Sequence, residues 1–166
     1  MSMVLLLTWC GKSSTTKDVI VSPFVVQIDE NYLIQSSSTS DTKVYRAGTG
    51  DSDSSLIQFA LSRVDTGVTM DQMTQLNLQK LAASIPWYDY IFRTDWLITC
   101  DQQDYPGQQV SFITNQWDEQ LYHSQYYTLI QSQWYMWSVT STTDNATDIL
   151  TDLIDKASCL GATNNS

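Results

Sequence analysis

The stretch Tyr126–Val139, with the sequence YYTLIQSQWYMWSV, decides the fold class. Bulky aromatic and aliphatic side chains stand at both its odd and its even positions. Because successive side chains of a strand point to opposite faces, both faces of this strand would carry bulky groups. We therefore predict one long strand that is central in its sheet and covered on both sides.

The region that follows has the period of an amphipathic helix. Its apolar residues recur at helical spacing on one stripe, and its aspartates lie off that stripe. Thr143 or Asp144 can cap the start, and Gly161 stands where a helix terminator belongs. We predict a helix whose apolar stripe is buried against the sheet or against a partner subunit, formed by Ala146, Ile149, Leu150, Leu153, Ile154, Ala157 and Leu160.

Upstream of the central stretch, short apolar and β-branched runs alternate with polar turns. Pro23 interrupts one run and predicts a break in that strand. Pro106-Gly107 is a turn dipeptide, and Asn115–Ser124 has no clear period. The predicted strands are Met3–Leu7, Asp18–Ile28 on both sides of its break, Asn31–Gln35, Lys43–Ala47, Leu56–Val64, Trp87–Phe92, Trp96–Cys100 and Val110–Thr114.

A second helix is predicted in the centre of the chain. Thr69 and Gln72 have the spacing of a capping box. Apolar residues follow at near-helical intervals, with no Gly or Pro before Pro86. This pattern predicts a helix over about residues 71–84.

The composition agrees with a protein dominated by strands. Charged residues make up 16% of the chain, and 16 of the 18 acidic residues are Asp. Helix surfaces favour Glu and Lys, whereas Ser, Thr, Trp and Tyr suit half-buried strands and polar turns. We predict a single α+β domain over residues 1–166, mainly antiparallel β-sheet with one central helix and one C-terminal amphipathic helix.

Charge and hydropathy exclude two classes of partner. The net charge is −10, whereas binding to nucleic acid or to an anionic bilayer relies on Lys and Arg clusters. No apolar run approaches the roughly 20 residues that a bilayer span needs. We therefore expect neither a nucleic-acid partner nor a membrane partner.

The cysteines point to no metal centre. Cys10, Cys100 and Cys159 are irregularly spaced without a Cys-x-x-Cys pair, which argues against a zinc or iron–sulfur site. Their odd number argues against a disulfide framework, although one disulfide is compatible with it. We expect three small buried hydrophobes in a reducing compartment. Met3–Leu7 is too short for a signal peptide and has no basic residue before it, so a cleaved signal is not expected.

Two acidic pairs are candidates for chemistry. Asp51 and Asp53 lie in a Gly-rich turn, but that turn lacks the spaced ligands and closing Glu of a calcium loop. Asp101 and Asp104 lie near aromatic residues, Trp96 and Tyr105, as a glycosidase carboxylate pair would. Asp in turns is far commoner than either site, so we interpret both pairs as turn residues.

The remaining candidates are weaker. His123, the one histidine, lies next to Tyr122 and Ser124, but no nucleophile elbow accompanies it, so we expect a structural or surface histidine. Gly48-Thr-Gly50 is too short and too acidic to bind phosphate. We predict no catalytic, cofactor-binding or metal-ligating residue, no cofactor and no enzymatic activity.

The order of elements resembles the coat proteins of small single-stranded RNA phages. The resemblance rests on the strand pair of Thr42–Val64 with its Gly/Ser/Asp turn, and on the final strand and helix of Gln133–Leu160. It implies a meander sheet, a C-terminal helix that clamps a partner subunit, and dimers that assemble into a shell. Those coats bind RNA on a sheet face, whereas Lys43, Arg46 and Arg63 do not align on one face here.

The function predicted from the sequence is therefore a non-catalytic, self-assembling structural protein. We expect a viral coat protein that forms homo-oligomers and is located in the virion. The alternative is a secreted, extracellular carbohydrate-binding module that uses exposed Trp and Tyr side chains as a stacking surface.

Overall fold

A computed structural model describes residues 15–36, 38–39, 41–46, 55–63, 67–84, 88–100, 103–116, 119–130 and 133–160. The predicted α+β class is confirmed, because two helices accompany two antiparallel sheets. The elements in chain order are β1 (Thr16–Val21), β2 (Phe24–Asp29), β3 (Leu33–Ile34), β4 (Thr42–Arg46), β5 (Leu56–Arg63), α1 (Met70–Ser84), β6 (Tyr88–Cys100), β7 (Gln103–Gln116), β8 (Glu119–Ile130), β9 (Gln133–Ser141), α2 (Ala146–Asp155) and β10 (Ser158–Cys159).

The larger sheet has seven strands in the order β3-β4-β5-β9-β8-β7-β6. The single strand predicted over Tyr126–Val139 is wrong: the chain reverses between β8 and β9, which pair antiparallel from Ile130 opposite Gln133 onward. A polar pair, Gln131-Ser132, separates them, and it contains none of the Gly, Asn or Asp residues that announce a tight turn. Both strands are nonetheless central in the sheet, as the bulky pattern indicated.

The region before them also differs from the prediction. The two strands predicted over Trp87–Phe92 and Trp96–Cys100 form one strand, β6, with a register shift between Tyr90 and Phe92. Pro106-Gly107 is not a turn but lies inside β7. Position 107 requires glycine, because the backbone passes against the buried ring of Tyr126 and a Cβ atom would overlap that ring.

One face of the seven-stranded sheet carries the main core. Helix α2 and the smaller sheet, of strand order β1-β2-β10, pack against this face. Phe24 of β2 lies edge-on to Trp137 of β9, with ring centroids 5.5 Å apart. The prediction of a buried C-terminal helix is confirmed in its sheet-packed form, because Leu150, Leu153 and Ile154 are 0%, 3% and 4% exposed within one chain.

The C-terminal helix is shorter than predicted. It ends at Asp155, and the chain then extends into β10, where Ser158 and Cys159 pair with β2. Ala157 still packs against the core, but Leu160 is 48% exposed. The apolar period in the sequence therefore runs past the end of the helix. The helix stops because the backbone of the following residues forms its hydrogen bonds with strand β2 instead.

Helix α1 covers part of the opposite face of the large sheet, and the predicted capping box is confirmed. The Thr69 backbone N–H donates to Gln72 Oε1 at 2.9 Å, and the Gln72 N–H donates to Thr69 Oγ1 at 3.3 Å. The cluster beneath this helix comprises Val110, Phe112, Tyr127 and Trp134, with Met70, Met73, Leu78 and Leu81 packed on it.

Cys159 corrects the expectation of reduced cysteines, because it is disulfide-bonded. Linear spacing did not indicate this, since the distance between two cysteines depends on the fold and not on the number of residues between them. In the part of the chain that the structure describes, neither helix is long and apolar enough to cross a membrane.

Candidate functional site

A cleft opens between the start of α1 and the middle of the β6–β7 hairpin. Its volume is about 500 Å³. Two acidic side chains, Asp71 of α1 and Asp95 of β6, lie on it, and both are exposed. Its apolar walls come from Met70, Leu97 and Pro106. We call this site the acidic cleft.

The amide of Gln108 connects the two carboxylates. Its Nε2 donates to Asp71 Oδ1 at 2.9 Å and to Asp95 Oδ1 at 3.3 Å. Its Oε1 accepts a hydrogen bond from the buried Thr74 hydroxyl at 2.8 Å. Gln108 itself is only 8% exposed, so this network holds two carboxylates from different elements toward the same opening.

The charge of the cleft is negative. Among the lining residues that the structure describes, none is Lys, Arg or His. The Gln108 amide engages one oxygen of each carboxylate. The arrangement suits a cationic group on an apolar stem, whose charge would meet the carboxylates while its methylenes pack on Leu97 and Met70.

A metal ion is a poor fit for the same cleft. No group of three His, Cys, Asp or Glu side chains converges anywhere in the described residues. Calcium takes six to eight oxygen ligands, and the cleft offers two carboxylates that are already joined by an amide N–H.

The acidic pair predicted near aromatic residues is not assembled. Asp101 lies outside the described residues, and Asp104 is exposed and accepts a hydrogen bond from Thr99 Oγ1 at 2.8 Å. Tyr105 and Trp96 pack against the main core instead of facing Asp104. Asp51, Asp53 and Gly48–Gly50 also lie outside the described residues.

His123 has a structural environment. Its Nε2 and Nδ1 lie 2.8 Å and 3.0 Å from the hydroxyls of Thr114 and Thr140, and its ring stacks on Phe112 with centroids 4.7 Å apart. Ser124 is not its partner, because the Ser124 hydroxyl accepts from Gln109 Nε2 on the other face of the sheet. Burial lowers the pKa of His123 to about 4.

We expect the stability of the fold to fall as pH drops from about 6.5 to about 4. In this window the unfolded chain protonates His123 and the folded chain does not, so protons favour unfolding. The ¹H NMR titration of this single histidine should give a pKa near 4. The free energy of unfolding, measured in urea at both ends of this pH window, should fall less for His123→Gln than for the wild type. A titration near 6.5 would contradict the buried, neutral ring.

Sequence reasoning missed the cleft residues. Asp71 was visible only as an acidic residue in the first turn of a helix, and Asp95 and Gln108 as polar residues of a β region. Their proximity follows from two later facts: β6 pairs with β7 so that Asp95 lies opposite Gln108, and α1 crosses that pair. Neither fact has a local sequence signal.

Several solved structures are similar to this chain, among them three at low sequence identity. The first is cyanobacterial PsbP (CyanoP) from Synechocystis sp. PCC 6803, with 10% identity over 93% of this chain and 99% of that chain, and a TM-score of 0.62. The second is LpqN of Mycobacterium tuberculosis, described as involved in cell envelope biogenesis, with 11% identity over 90% and 86% of the two chains and a TM-score of 0.58. The third is PA94 of Pseudomonas aeruginosa, of unknown function, with 8% identity over 82% and 94% and a TM-score of 0.55.

These similarities establish a shared fold and nothing about activity. The sequence itself matches no protein-family model and no curated protein. The resemblance to RNA phage coat proteins is wrong, because the solved structures with this fold are of the CyanoP and LpqN type. The predictions of a viral coat protein and of a virion location are wrong with it.

The geometry explains these errors. The coat interpretation required the C-terminal helix to clamp a second subunit, but Leu150 and Leu153 of α2 are already buried against the sheet of their own chain. The carbohydrate-binding alternative stays a prediction, and it requires exposed aromatic rings. None of the Trp and Tyr side chains that the structure describes is exposed.

Proposed function

We propose that this chain is a non-catalytic binding domain that takes a basic side chain of a protein partner into the acidic cleft. The single observation that carries the proposal is the pair of carboxylates, Asp71 and Asp95, joined by Gln108 in an open cleft of about 500 Å³. Lys and Arg have the matching shape, because each places a cation at the end of an apolar stem.

A binding role is favoured over catalysis by the state of the histidine. His123 is neutral, stacked and hydrogen-bonded to two threonines, and it lies on the sheet away from the residues that line the cleft. Two carboxylates in an open cleft can bind a cation without the help of a histidine or another acid–base group. This supports recognition as the role of the site.

An oxidising compartment is the proposed location. Disulfides persist in secreted, periplasmic and organellar proteins and are rare in the cytosol, and Cys159 is disulfide-bonded. The fold shared with LpqN, which is described as involved in cell envelope biogenesis, is compatible with this location.

Removing both carboxyl charges should abolish the preference for a cation. We expect Asp71→Asn/Asp95→Asn to raise the Kd for a short arginine-containing peptide at least about tenfold, since each lost charge pair contributes on the order of 1 kcal/mol. Isothermal titration calorimetry at about 0.15 M salt measures this. A peptide with citrulline in place of arginine tests the charge of the ligand with its shape conserved.

The matched control is Glu30→Gln/Asp155→Asn, which removes two exposed acidic groups away from the cleft. It changes the net charge by the same amount and should leave the Kd within about twofold of the wild type. Equal weakening by both double variants would mean that arginine binds the diffuse negative field of the protein, and the proposed site would be rejected.

A further inference from the structure

Strand β6 forms one edge of the seven-stranded sheet. It has 13 residues, and no strand in the described part of the chain pairs with its outer side. The other edge is the two-residue strand β3. A long edge with unpaired backbone N–H and C=O groups is a template for another strand, and most proteins shorten or block such an edge.

The sequence of β6 is self-complementary about Thr94. If two copies pair antiparallel with Thr94 opposite Thr94, Arg93 of each copy lies opposite Asp95 of the other. The same register places Phe92 opposite Trp96. Directly opposed residues on one face have Cβ atoms about 5 Å apart, so opposite charges there attract and like charges repel.

Neighbouring symmetric registers lack this match. Centring the pair on Asp95 or on Arg93 puts two like charges opposite each other, and centring it on Trp96 puts Asp95 opposite Leu97. The charges therefore select the register centred on Thr94. The regular part of β6 contains it, since the register shift of the strand lies between Tyr90 and Phe92.

This register also delivers a cation to the acidic cleft. Asp95 is exposed, lies on the cleft and is joined to Asp71 through Gln108. Leu97, two residues along the same face of the strand, is 55% exposed. In a pairing of two β6 edges, this apolar side chain lies beside the second copy, and position 93 of that copy, an arginine, lies opposite Asp95.

We infer that the partner of the acidic cleft is a second copy of this chain, bound edge to edge through β6 with Arg93 of each copy opposite Asp95 of the other. This inference rests on the proposed function, for which it names the basic side chain. The two large sheets become one continuous sheet across a two-fold axis, and each copy supplies one cation and receives one.

Charge reversal tests the pairing in the full chain. Arg93→Asp opposes two aspartates across the edge, and Asp95→Arg opposes two arginines, so each variant alone should be monomeric by size-exclusion chromatography with light scattering at about 0.15 M salt. The double variant Arg93→Asp/Asp95→Arg should be dimeric again. An equal mixture of the two single variants should also form dimers, because each mixed pair opposes Asp to Arg on both sides.

The control is Arg46→Asp, which makes the same change in charge at an exposed position of β4. It should dimerise within about twofold of the wild-type Kd, whereas each β6 single variant should raise that Kd at least about tenfold. Restoration in the mixture also shows that the single variants are folded, since an unfolded chain cannot supply an edge.

Three outcomes overturn the inference. A wild-type chain that stays monomeric up to about 100 µM, where dimers of even moderate affinity form, has no such interface. A dimer that responds to the β6 variants no more than to Arg46→Asp uses another surface. A third outcome is that both single variants are monomeric and that neither mixing them nor combining the two changes restores the dimer. In that case the chains do not pair in this register. In each case binding of the arginine peptide to the cleft is measured separately, so the proposed function stands or fails by its own result.

Discussion

Leu153→Asp is expected to lower the free energy of unfolding by at least about 4 kcal/mol, which is most of the stability of an ordinary domain. Leu153 is 3% exposed and packs in the core between α2 and the large sheet. The change removes a buried side chain and introduces an unpaired carboxylate in its place. Urea unfolding followed by circular dichroism measures the effect, with a low yield of folded protein as its extreme form.

Leu160→Asp is the matched control, because the same substitution falls just beyond β10 where the side chain is 48% exposed. It should change the unfolding free energy by less than about 1 kcal/mol. The pair distinguishes a helix that ends at Asp155 from one that continues to Leu160 with its stripe buried. Equal losses at the two positions would contradict the structure.

Gly107→Ala is expected to destabilise the fold by about 3 kcal/mol, a large effect for one methyl group. The methyl would overlap the ring of Tyr126, which is 0% exposed. Thermal and urea unfolding measure the change. In a Tyr126→Leu background the added methyl should cost much less, and a double-mutant cycle measures that coupling. A Gly107→Ala variant within about 0.5 kcal/mol of the wild type would show that the strand does not approach this ring.

Periodicity predicted most elements of this fold, and the turns accounted for most of the errors. Both helices were visible, α1 through its capping box at Thr69 and α2 through its apolar stripe. The reversal between β8 and β9 was missed because Gln131-Ser132 contains no Gly, Asn or Asp, the residues that mark a two-residue hairpin turn. Pro106-Gly107 has that preference, but Gly107 is needed there for its lack of a side chain and not for a turn.

The acidic cleft was beyond sequence reasoning for a different reason. Asp71, Asp95 and Gln108 come from three elements, and each is ordinary in its own segment. Their convergence depends on the register of β6 against β7 and on where α1 crosses the sheet. Register in a sheet is decided by long-range pairing, for which a single sequence has no direct signal.

The function predicted from the sequence was wrong because element order was used as evidence of fold. A strand pair followed later by a strand and a helix occurs in many α+β proteins. The decisive difference is where the helix packs: Leu150 and Ile154 of α2 are buried within the chain and leave that stripe no partner to clamp. Self-association, if it follows β6, uses an edge of the sheet that the coat interpretation did not consider.

Mapping the binding of an arginine-containing peptide by two-dimensional ¹⁵N NMR tests the central claim most directly. The account predicts concentration-dependent shifts at the backbone amides of Asp71 and Asp95 and at the side-chain amide of Gln108, all of which line the cleft. Asp148 and Asp152, which lie on a separate cavity near α2, serve as an internal reference for non-specific attraction. Shifts confined to the cleft and absent with the citrulline peptide would support it as the binding site. Shifts centred on Asp148 and Asp152, or spread evenly over the acidic surface, would contradict it.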